Sequence, residues 1–296
     1  MNEAKPKMQI HVREACEADK EAVFEFCRHT WSWGDYIPDV WDRWLKEENG
    51  KVYVATINDV PIGIQHITID KPGEAWLSGA RTAPKYRRMG VATAITMKCL
   101  EYAKSKGVKV VRLVTESDNV AALAAVQKMG FKPAAEFIEM TAENVLIGNG
   151  GSKASSWANK SQLDIVWRYL QSSEIYRQAA GLYTALYHWY SLDKHDLEHF
   201  IEQRKAIINT NKDKTIHGLI LVDDAVSSEW RENSIQTCYI DGEPAAISDM
   251  TKFLLAYCQT KGIRKIYGFA CNHPSITKTL KKLKFEKPAI IFEKQI

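Results

Sequence analysis

The sequence lacks the cysteine pairs of a metal site and the apolar runs of a membrane protein. Six cysteines are scattered through 296 residues without CxxC spacing, whereas structural zinc sites usually draw on closely spaced ligands. No stretch approaches the ~18 consecutive apolar residues of a membrane span, and residues 1–9 are polar, without the apolar core of a signal peptide. We therefore expect no metal, no membrane partner, reduced cysteines and a cytoplasmic protein.

The sequence also lacks a strong excess of charge of either sign. It carries 40 basic and 36 acidic side chains, a formal net charge of +4, whereas a nucleic-acid-binding domain usually has a strongly basic face. Hydrophobic residues make up 45% and charged residues 26% of the chain, which is typical of globular proteins. Composition thus favours a globular protein without a nucleic-acid partner.

The length and an internal repeat predict two domains. A chain of 296 residues can hold two domains of ~100–200 residues each, and the glycine- and serine-rich segment 148–156 suits a flexible connection. Residues 100–140 and 255–294 share one pattern, in which three residue pairs keep a constant separation: Tyr102 and Tyr257, Gly107 and Gly262, Pro133 and Pro288. Such self-similarity predicts two copies of one fold, at 1–147 and 157–296. One domain with a long surface loop is the alternative.

Hydrophobic periodicity predicts an α/β fold, with a mixed sheet flanked by helices and at least one parallel crossover. In the first half the predicted strands are 51–57, 62–69, 75–82 and 108–115, and the predicted helices are 18–29, 90–105 and 119–129. In the second half we predict a helical run at 163–208, strands at 216–222 and 234–240, and a helix at 245–260.

The segment Arg87-Arg88-Met89-Gly90-Val91-Ala92 has the features of a phosphate-binding loop. It precedes a predicted helix, whose N-terminus presents unpaired N–H groups and the positive end of the helix dipole. Small residues at Gly90 and Ala92 would let the backbone approach a pyrophosphate closely, and two arginines add positive charge. A simple glycine turn with solvated arginines is the alternative.

In its wider context this segment resembles the GNAT family of N-acetyltransferases. The run from Gly79 to Ala92 is similar to that family's fourth strand, its loop Q/R-x-x-G-x-G/A and its third helix. Asp118-Asn119-Val120-Ala121-Ala122, followed by Gly130-Phe131, is similar to the family's second signature. The resemblance covers residues 8–140 well and the second half in outline. It implies two GNAT-like domains in tandem and direct transfer of an acetyl group from acetyl-CoA to a primary amine.

The resemblance also implies which residues hold acetyl-CoA. Backbone N–H groups from Arg88 to Thr93 would bind the pyrophosphate, and the strand backbone at Thr82 would pair with the pantetheine arm. Asn119 would contact the cofactor or cap its own helix. The expected cofactor-binding residues are Thr82, Ala83, Arg87, Arg88, Met89, Gly90, Val91, Ala92, Thr93, Asn119 and Ala122.

Three residues are candidates for the general base that an ammonium acceptor requires: Glu74, His66 and Glu116. Glu74 is the base that the family resemblance implies, and period-two alternation places it on one strand face with Trp76, Ser78, Ala80 and Thr82. An exposed turn carboxylate is the alternative for Glu74, and a packed core histidine for His66. Val126 stands where many family members have a tyrosine that acts as general acid, so the source of that proton is left open.

The resemblance places the acceptor site after the first helix. Trp33, Asp35 and Tyr36 would hold a cationic or aromatic amine through aromatic walls and a carboxylate; tryptophans that pack helices together are the alternative. The segments GARTAP and RRMGVA resemble acetyltransferases of small amino acids such as histidine, so we expect a small-molecule amine acceptor. A protein amine, a non-catalytic acetyl-CoA sensor or scaffold, and a homodimer stay open.

The second half lacks the phosphate loop. Asp241-Gly242-Glu243-Pro244-Ala245-Ala246-Ile247 stands at the corresponding place. Acidic residues there would repel a pyrophosphate, and proline stands where small residues are needed. We therefore predict a degenerate second copy that binds no acetyl-CoA.

Overall fold

The computed structural model describes residues 9–32, 34–143, 152–224, 233–281 and 283–296. In the first half, strands and helices alternate as the periodicity predicts, so the α/β fold is confirmed. The elements are β1 (His11–Glu14), α1 (Lys20–Cys27), α2 (Ile37–Lys46), β2 (Gly50–Ile57), β3 (Val60–Lys71), β4 (Glu74–Thr82), α3 (Val91–Ser105), β5 (Val110–Glu116), α4 (Val120–Lys128) and β6 (Lys132–Glu143).

The second half repeats this order of elements and adds a hairpin and a helix. Its elements are β7 (Ser155–Trp157), α5 (Leu163–Ser172), α6 (Glu174–Gln178), β8 (Leu182–Ala185), β9 (His188–Ser191), α7 (Lys194–Glu202), β10 (Ala206–Thr210), β11 (Ile216–Asp223), β12 (Ser234–Gly242), α8 (Pro244–Lys261), β13 (Lys265–Cys271), α9 (Pro274–Thr277) and β14 (Lys284–Gln295).

The prediction of a single helical run over 163–208 was wrong. Positive φ angles at Ala180 and Gly181 end the helical segment, because a right-handed helix cannot continue through the left-handed region. The residues that follow are rich in tyrosine and tryptophan, which favour strands, and they form the β8–β9 hairpin.

Contacts divide the chain into two compact units whose limits differ from the predicted domain boundaries. The first unit holds the described residues up to Leu113, together with Ala124–Lys132 and Glu293–Ile296. The second holds Val114–Leu123 and Pro133–Phe292. A repeat and a glycine-rich segment mark the middle of the chain, but neither shows to which unit the last strand of each half belongs.

The sheet of the first unit has the order β1-β2-β3-β4-β5. The first four strands pair antiparallel, and β4 pairs with β5 in parallel, which confirms the predicted crossover through α3. The parallel ladder joins Glu74–Trp76 to Val110–Arg112. Strand β4 continues beyond this ladder to Thr82, at the end of the strand that leads into the predicted loop.

Helices cover both faces of this sheet. On one face α1 and α2 pack Val23, Trp41 and Trp44 against the buried strand residues Val52, Val54 and Ile64. On the other face α3 packs on β3, where a Cβ at Gly63 would lie 2.6 Å from Val91 Cγ1. The missing side chain at Gly63 therefore lets the first turn of α3 lie against the strand.

The C-terminal residues of the chain complete the first unit. The Ile296 N–H donates to the Lys109 carbonyl at 3.0 Å, and Lys294 Nζ donates to the Met129 carbonyl at 2.6 Å. A cation at the C-terminal end of a helix complements its dipole, so Lys294 stabilises the end of α4.

In the second unit β12 and β13 pair in parallel, and β6 pairs antiparallel with β13. Residues 152–155, which lead into β7, are fixed to α8 by one carboxylate. Asp249 accepts hydrogen bonds from the hydroxyls of Ser152 and Ser155, from the backbone N–H groups of Lys153 and Ala154, and from the Asn209 amide. Burial raises the pKa of Asp249, but these bonds outweigh it and hold that pKa well below its usual range.

Two kinds of feature do not occur among the described residues. No helix there combines the length and apolar character needed to cross a membrane, and no group of three His, Cys, Asp or Glu side chains in the same ranges could hold a metal ion. All six cysteines are free thiols, and five of them are buried.

We expect Asp249→Ala to destabilise the second unit by about 2 kcal/mol, since hydrogen bonds to a charged group contribute about 1.5–3 kcal/mol. The contribution of Asp249 is present above the pKa of the unfolded carboxyl and is lost as pH falls toward the lowered folded pKa. Urea unfolding of the full chain between pH 7 and pH 3 measures both effects. Asp213→Ala, at an exposed carboxylate of the β10–β11 turn, is the control; equal loss in both variants would contradict the anchoring role.

Candidate functional site

A β-bulge in β4 is the feature on which the site is built. The register with β3 pairs Ile64 with Arg81 and His66 with Ser78, so two residues of β4, Gly79 and Ala80, face one residue of β3. Gly79 has a φ of +64°, which favours glycine. A Cβ there would lie 2.7 Å from Trp44 Cη2, so glycine is required for packing as well.

The bulge changes which side chains share a face. Simple alternation put Thr82 on the face of Ser78, and that prediction was wrong. Residues paired directly across an antiparallel ladder point to the same face, so Ser78 and Arg81 lie with His66 and Ile64. The extra residue shifts the alternation by one, and Arg81 arrives on the face that α2 covers.

Arg81 is held there by Asp35, which lies in the loop before α2. Arg81 Nε donates to Asp35 Oδ2 at 2.7 Å and Nη2 donates to Oδ1 at 3.1 Å. The Asp35 side chain is 1% exposed. The sequence predicts that the Asp35 carboxylate binds a cationic acceptor, but this carboxylate is already paired with the guanidinium of Arg81.

Aromatic rings surround this ion pair. The Arg81 guanidinium lies 4.5 Å from the Trp31 ring centroid and 5.3 Å from that of Tyr36. The Gly79 N–H of the bulge donates to Tyr36 Oη at 3.1 Å, and burial raises the pKa of Tyr36. The Tyr36 hydroxyl therefore stays protonated at neutral pH. Trp31 is 39% exposed and forms the solvent-facing side of these aromatic rings. The predicted acceptor residue Trp33 lies outside the described residues.

Next to the Arg81–Asp35 pair and its aromatic rings, His66 belongs to a second set of linked polar contacts. Its Nε2 is 2.6 Å from Glu47 Oε2, at the end of α2, and its Nδ1 is 3.0 Å from Ser78 Oγ. The ring stacks on Trp44 with centroids 4.2 Å apart. His66 is 1% exposed and Glu47 is 24% exposed, so the buried ring joins two groups that lie nearer to solvent.

The predicted phosphate loop leads from β4 into α3. Pro84–Tyr86 form a single 3-10 turn, and Arg88 and Gly90 follow with φ angles of +63° and +86°. A Cβ at Gly90 would meet no atom within 4 Å. Gly90 therefore needs its glycine for backbone conformation, and the space in front of it is open in this chain.

The start of α3 supplies donors to that open space. The first intrahelical bond runs from the Ala94 N–H to the Gly90 carbonyl, and the preceding N–H groups at a helix start have no intrahelical acceptor. Arg87, Arg88, Met89, Gly90, Ala92 and Thr93 are exposed, whereas Val91 is buried against β3. The loop thus combines open backbone donors with two solvent-facing arginines, as an anion site requires.

The other two candidate bases lie in different surroundings. Glu74 begins β4, eight residues before Thr82, and Arg112 Nη1 donates to Glu74 Oε2 at 2.5 Å. That placement in the parallel ladder does not favour Glu74 as the base. Glu116 ends β5 and is exposed, and it lies in the second unit.

Asn119 acts as a helix cap. The Ala122 N–H donates to Asn119 Oδ1 at 3.1 Å, which is the capping geometry of an N-terminal asparagine. Val126, where the family resemblance would place a tyrosine, is buried. Of the residues that matter at this site, sequence reasoning missed Glu47 and the pairing of Arg81, because neither lies near its partner in the sequence.

In the second unit the segment that the predicted repeat aligns with the loop begins with an internal carboxylate. Asp241, at the end of β12, is 1% exposed. It accepts hydrogen bonds from the hydroxyls of Tyr169 (2.8 Å), Ser173 (2.6 Å) and Tyr239 (2.6 Å). Pro244 begins α8 and has no N–H to offer.

Comparison with known proteins agrees with this geometry. Residues 19–131 match the model of the acetyltransferase (GNAT) family, a segment that contains β4, the loop and α3. Over 117 residues the chain is 31% identical to a histidine N-acetyltransferase of Scomber australasicus, which covers 38% of this chain and 35% of that protein. Over 111 residues it is 31% identical to a histidine N-acetyltransferase of Xenopus tropicalis, with 36% and 34% covered. The chain thus spans about a third of the length of these relatives.

Solved structures match almost the whole chain. A GCN5-related N-acetyltransferase from Sphaerobacter thermophilus has a TM-score of 0.59 at 9% identity, covering 97% of this chain and 95% of that one. A GCN5-related glucosamine N-acetyltransferase region of a fungal β-N-acetylglucosaminidase has a TM-score of 0.61 at 12% identity, covering 99% and 39%. At such identities these likenesses show the fold alone, and they confirm the predicted GNAT-like mixed sheet flanked by helices.

We expect Asp35→Ala to lower the free energy of unfolding by about 3 kcal/mol, because it leaves the Arg81 guanidinium without its carboxylate inside an aromatic group. Removal of one partner from a buried ion pair costs about 3–5 kcal/mol. Chemical denaturation of the full chain measures the change. Lys98→Ala, which breaks the exposed pair with Glu101, is the control and should cost at most about 0.5 kcal/mol; comparable costs would contradict this account of Asp35.

Proposed function

We propose that this chain is an acetyl-CoA-dependent N-acetyltransferase and that its first unit binds the cofactor. The observation that carries the proposal is the open loop before α3, where Gly90 has a φ of +86° and nothing within 4 Å of a Cβ position. Conformation, open space and exposed arginines all fit a pyrophosphate. The family match over residues 19–131 supports the same assignment.

The residues of the first unit suit each part of the cofactor. The N–H groups from Met89 to Thr93 would bind the pyrophosphate, with Arg87 and Arg88 adding charge. The part of β4 that runs beyond its ladder with β5, from Leu77 to Thr82, would pair with the pantetheine arm. When bound, acetyl-CoA supplies an acyl thioester, whose carbonyl the backbone N–H groups near Thr82 would polarise.

The acceptor is proposed to be a small primary amine, such as an amino acid. The named relatives that act on histidine support this class. Trp31 offers an exposed indole beside Arg81 and Tyr36, and a flat or cationic acceptor side chain would stack there. Asp35 would act by holding Arg81 in place, since its own carboxylate is already paired.

The second unit is proposed to be a degenerate copy that binds no acetyl-CoA. The repeated order of elements supports a common origin for the two halves. Its counterpart of the loop holds the buried carboxylate of Asp241 and begins its helix with Pro244, and both features oppose a phosphate.

An acetyl-CoA-binding protein without catalysis is the second candidate function. The observation that favours it is Val126, a buried aliphatic residue at the position where the resemblance implies a tyrosine acid. Turnover decides between the two candidates. Release of free CoA thiol with any member of a panel of amino acids and polyamines supports the enzyme, whereas binding without thiol release across the panel supports the sensor.

We expect the full-length chain to bind one acetyl-CoA and Gly90→Ala to weaken that binding by about tenfold or more. A methyl group at this position projects toward the phosphates, and loss of one charge-assisted hydrogen bond costs about 1.5–3 kcal/mol. Calorimetric titration with acetyl-CoA measures both the stoichiometry and the affinity.

Gly107→Ala is the matched control for this variant. Gly107 follows the other end of α3, has a φ of +75° and likewise has nothing within 4 Å of a Cβ position. Both variants therefore introduce the same left-handed backbone strain of about 1–2 kcal/mol, and only Gly90→Ala should lose affinity for acetyl-CoA. Equal affinity in the two variants, or two sites per chain, would show that the loop has been misassigned.

A further inference from the structure

We infer that Ser78, His66 and Glu47 form a proton relay that takes the proton from the acceptor ammonium. This inference rests on the proposed acetyl transfer and names the groups that would activate its acceptor. The geometry supplies a continuous chain of hydrogen bonds, 3.0 Å from Ser78 Oγ to His66 Nδ1 and 2.6 Å from His66 Nε2 to Glu47 Oε2.

In the proposed relay the neutral His66 ring carries its proton on Nε2. An ionised carboxylate only accepts hydrogen bonds, so Nε2 of His66 donates to Glu47 and Nδ1 is left as the acceptor. Ser78 Oγ–H then donates to Nδ1. This is the protonation pattern of a neutral histidine that can receive a proton from a serine hydroxyl.

The middle residue of the relay is buried, and the residues at its two ends are partly exposed. His66 is 1% exposed and stacked on Trp44, which also holds the ring in its plane. Ser78 is half-buried, beside the bulge at Gly79, and Glu47 is 24% exposed. A proton can therefore enter at Ser78 and leave to water at Glu47, while His66 itself meets neither substrate nor solvent.

The neighbouring strand leaves room for the closest contact of the relay. A Cβ at Gly50, in β2, would lie 2.5 Å from Glu47 Oε2 and 2.9 Å from His66 Nε2. Any larger residue would push the carboxylate away from the ring. Gly50 thus permits the contact between Glu47 and His66. A histidine that served only to fill the core would not need this contact.

The proposed step balances as follows. An N–H bond of the ammonium breaks and its proton joins Ser78 Oγ, while the Ser78 O–H bond breaks and its proton joins His66 Nδ1. The imidazolium that forms is stabilised by Glu47 and by the face of Trp44; it gives its Nε2 proton to Glu47, and Glu47 releases that proton to water. The amine lone pair is then free to attack the thioester carbon, the pair of the broken C–S bond goes to sulfur, and sulfur takes the second proton that leaves the nitrogen.

Other charged groups face the relay from neighbouring elements. Asp70 of β3 accepts from the Thr68 hydroxyl at 2.9 Å, and the same hydroxyl lies 3.3 Å from Glu47 Oε1. The Asp35–Arg81 pair lies on the Ser78 face of β4. Glu47 is the carboxylate in direct contact with the ring, so its removal should change the proton affinity of His66 most.

The test compares Ser78→Ala, Glu47→Gln and Gly50→Ala in the full chain, with an acceptor on which the wild type is active. We expect kcat/KM to fall about 100-fold in Ser78→Ala, within the range of general acid–base catalysis, and about tenfold in Glu47→Gln. Loss of the carboxylate lowers the pKa of the imidazolium, so the acid limb of the pH profile should move to lower pH in Glu47→Gln and Gly50→Ala. Acetyl-CoA affinity should stay within about twofold, since Glu47 and Gly50 lie apart from the phosphate loop and Ser78→Ala keeps the strand backbone that would pair with the pantetheine arm.

Glu48→Gln is the matched control, because it removes the same charge from the exposed neighbouring residue. Its rate and pH profile should equal those of the wild type. Unchanged kcat/KM in Ser78→Ala, or a slow Ser78→Ala with an unmoved acid limb in Glu47→Gln, would overturn the relay and leave acetyl transfer standing. Failure of the wild type to turn over any acceptor would instead overturn the proposed function on which the relay rests.

Discussion

The β-bulge at Gly79 and Ala80 is the constraint on which the candidate site depends. Without it, strict alternation would turn Arg81 away from α2 and leave Asp35 and Tyr36 facing apolar strand residues. The bulge instead places Arg81 against Asp35 and exposes the Gly79 N–H to the Tyr36 hydroxyl. Backbone irregularity, ion pair and aromatic packing therefore support one another.

In the proposed function the site separates binding from proton chemistry along one strand. The end of β4 and the loop after it offer backbone donors and positive charge, which suit an anion of fixed shape. The middle of the strand offers Ser78 and the buried histidine behind it. This division follows from the fold, because β4 continues beyond its ladder with β5 and has backbone groups along that edge of the sheet, whereas its side chains point to the two faces.

The parts of the site that sequence could predict are those formed by neighbouring residues. The loop and the helix start near Gly90 could be predicted because glycine, arginines and helix periodicity lie within a few positions of one another. Glu74 and Asp35 could be identified as carboxylates, but their partners Arg112 and Arg81 are 38 and 46 residues away. A bulge leaves no sequence pattern from which one could predict that Thr82 and Ser78 point to opposite faces of the strand. One extra residue is enough to invert the alternation of side chains.

If the second unit is a degenerate copy, as proposed, the same position in the fold has opposite electrostatics in the two units. In the second unit Asp241 is buried, and burial of a carboxylate is costly unless hydrogen bonds replace its water. Three hydroxyls supply those bonds. Displacement of Asp241 by a phosphate would leave the hydroxyls of Tyr169 and Tyr239 to find new acceptors inside the protein, so an internal anion excludes an external one. In the first unit the donors at the start of α3 face open space, and the same argument favours a ligand that brings its own negative charge.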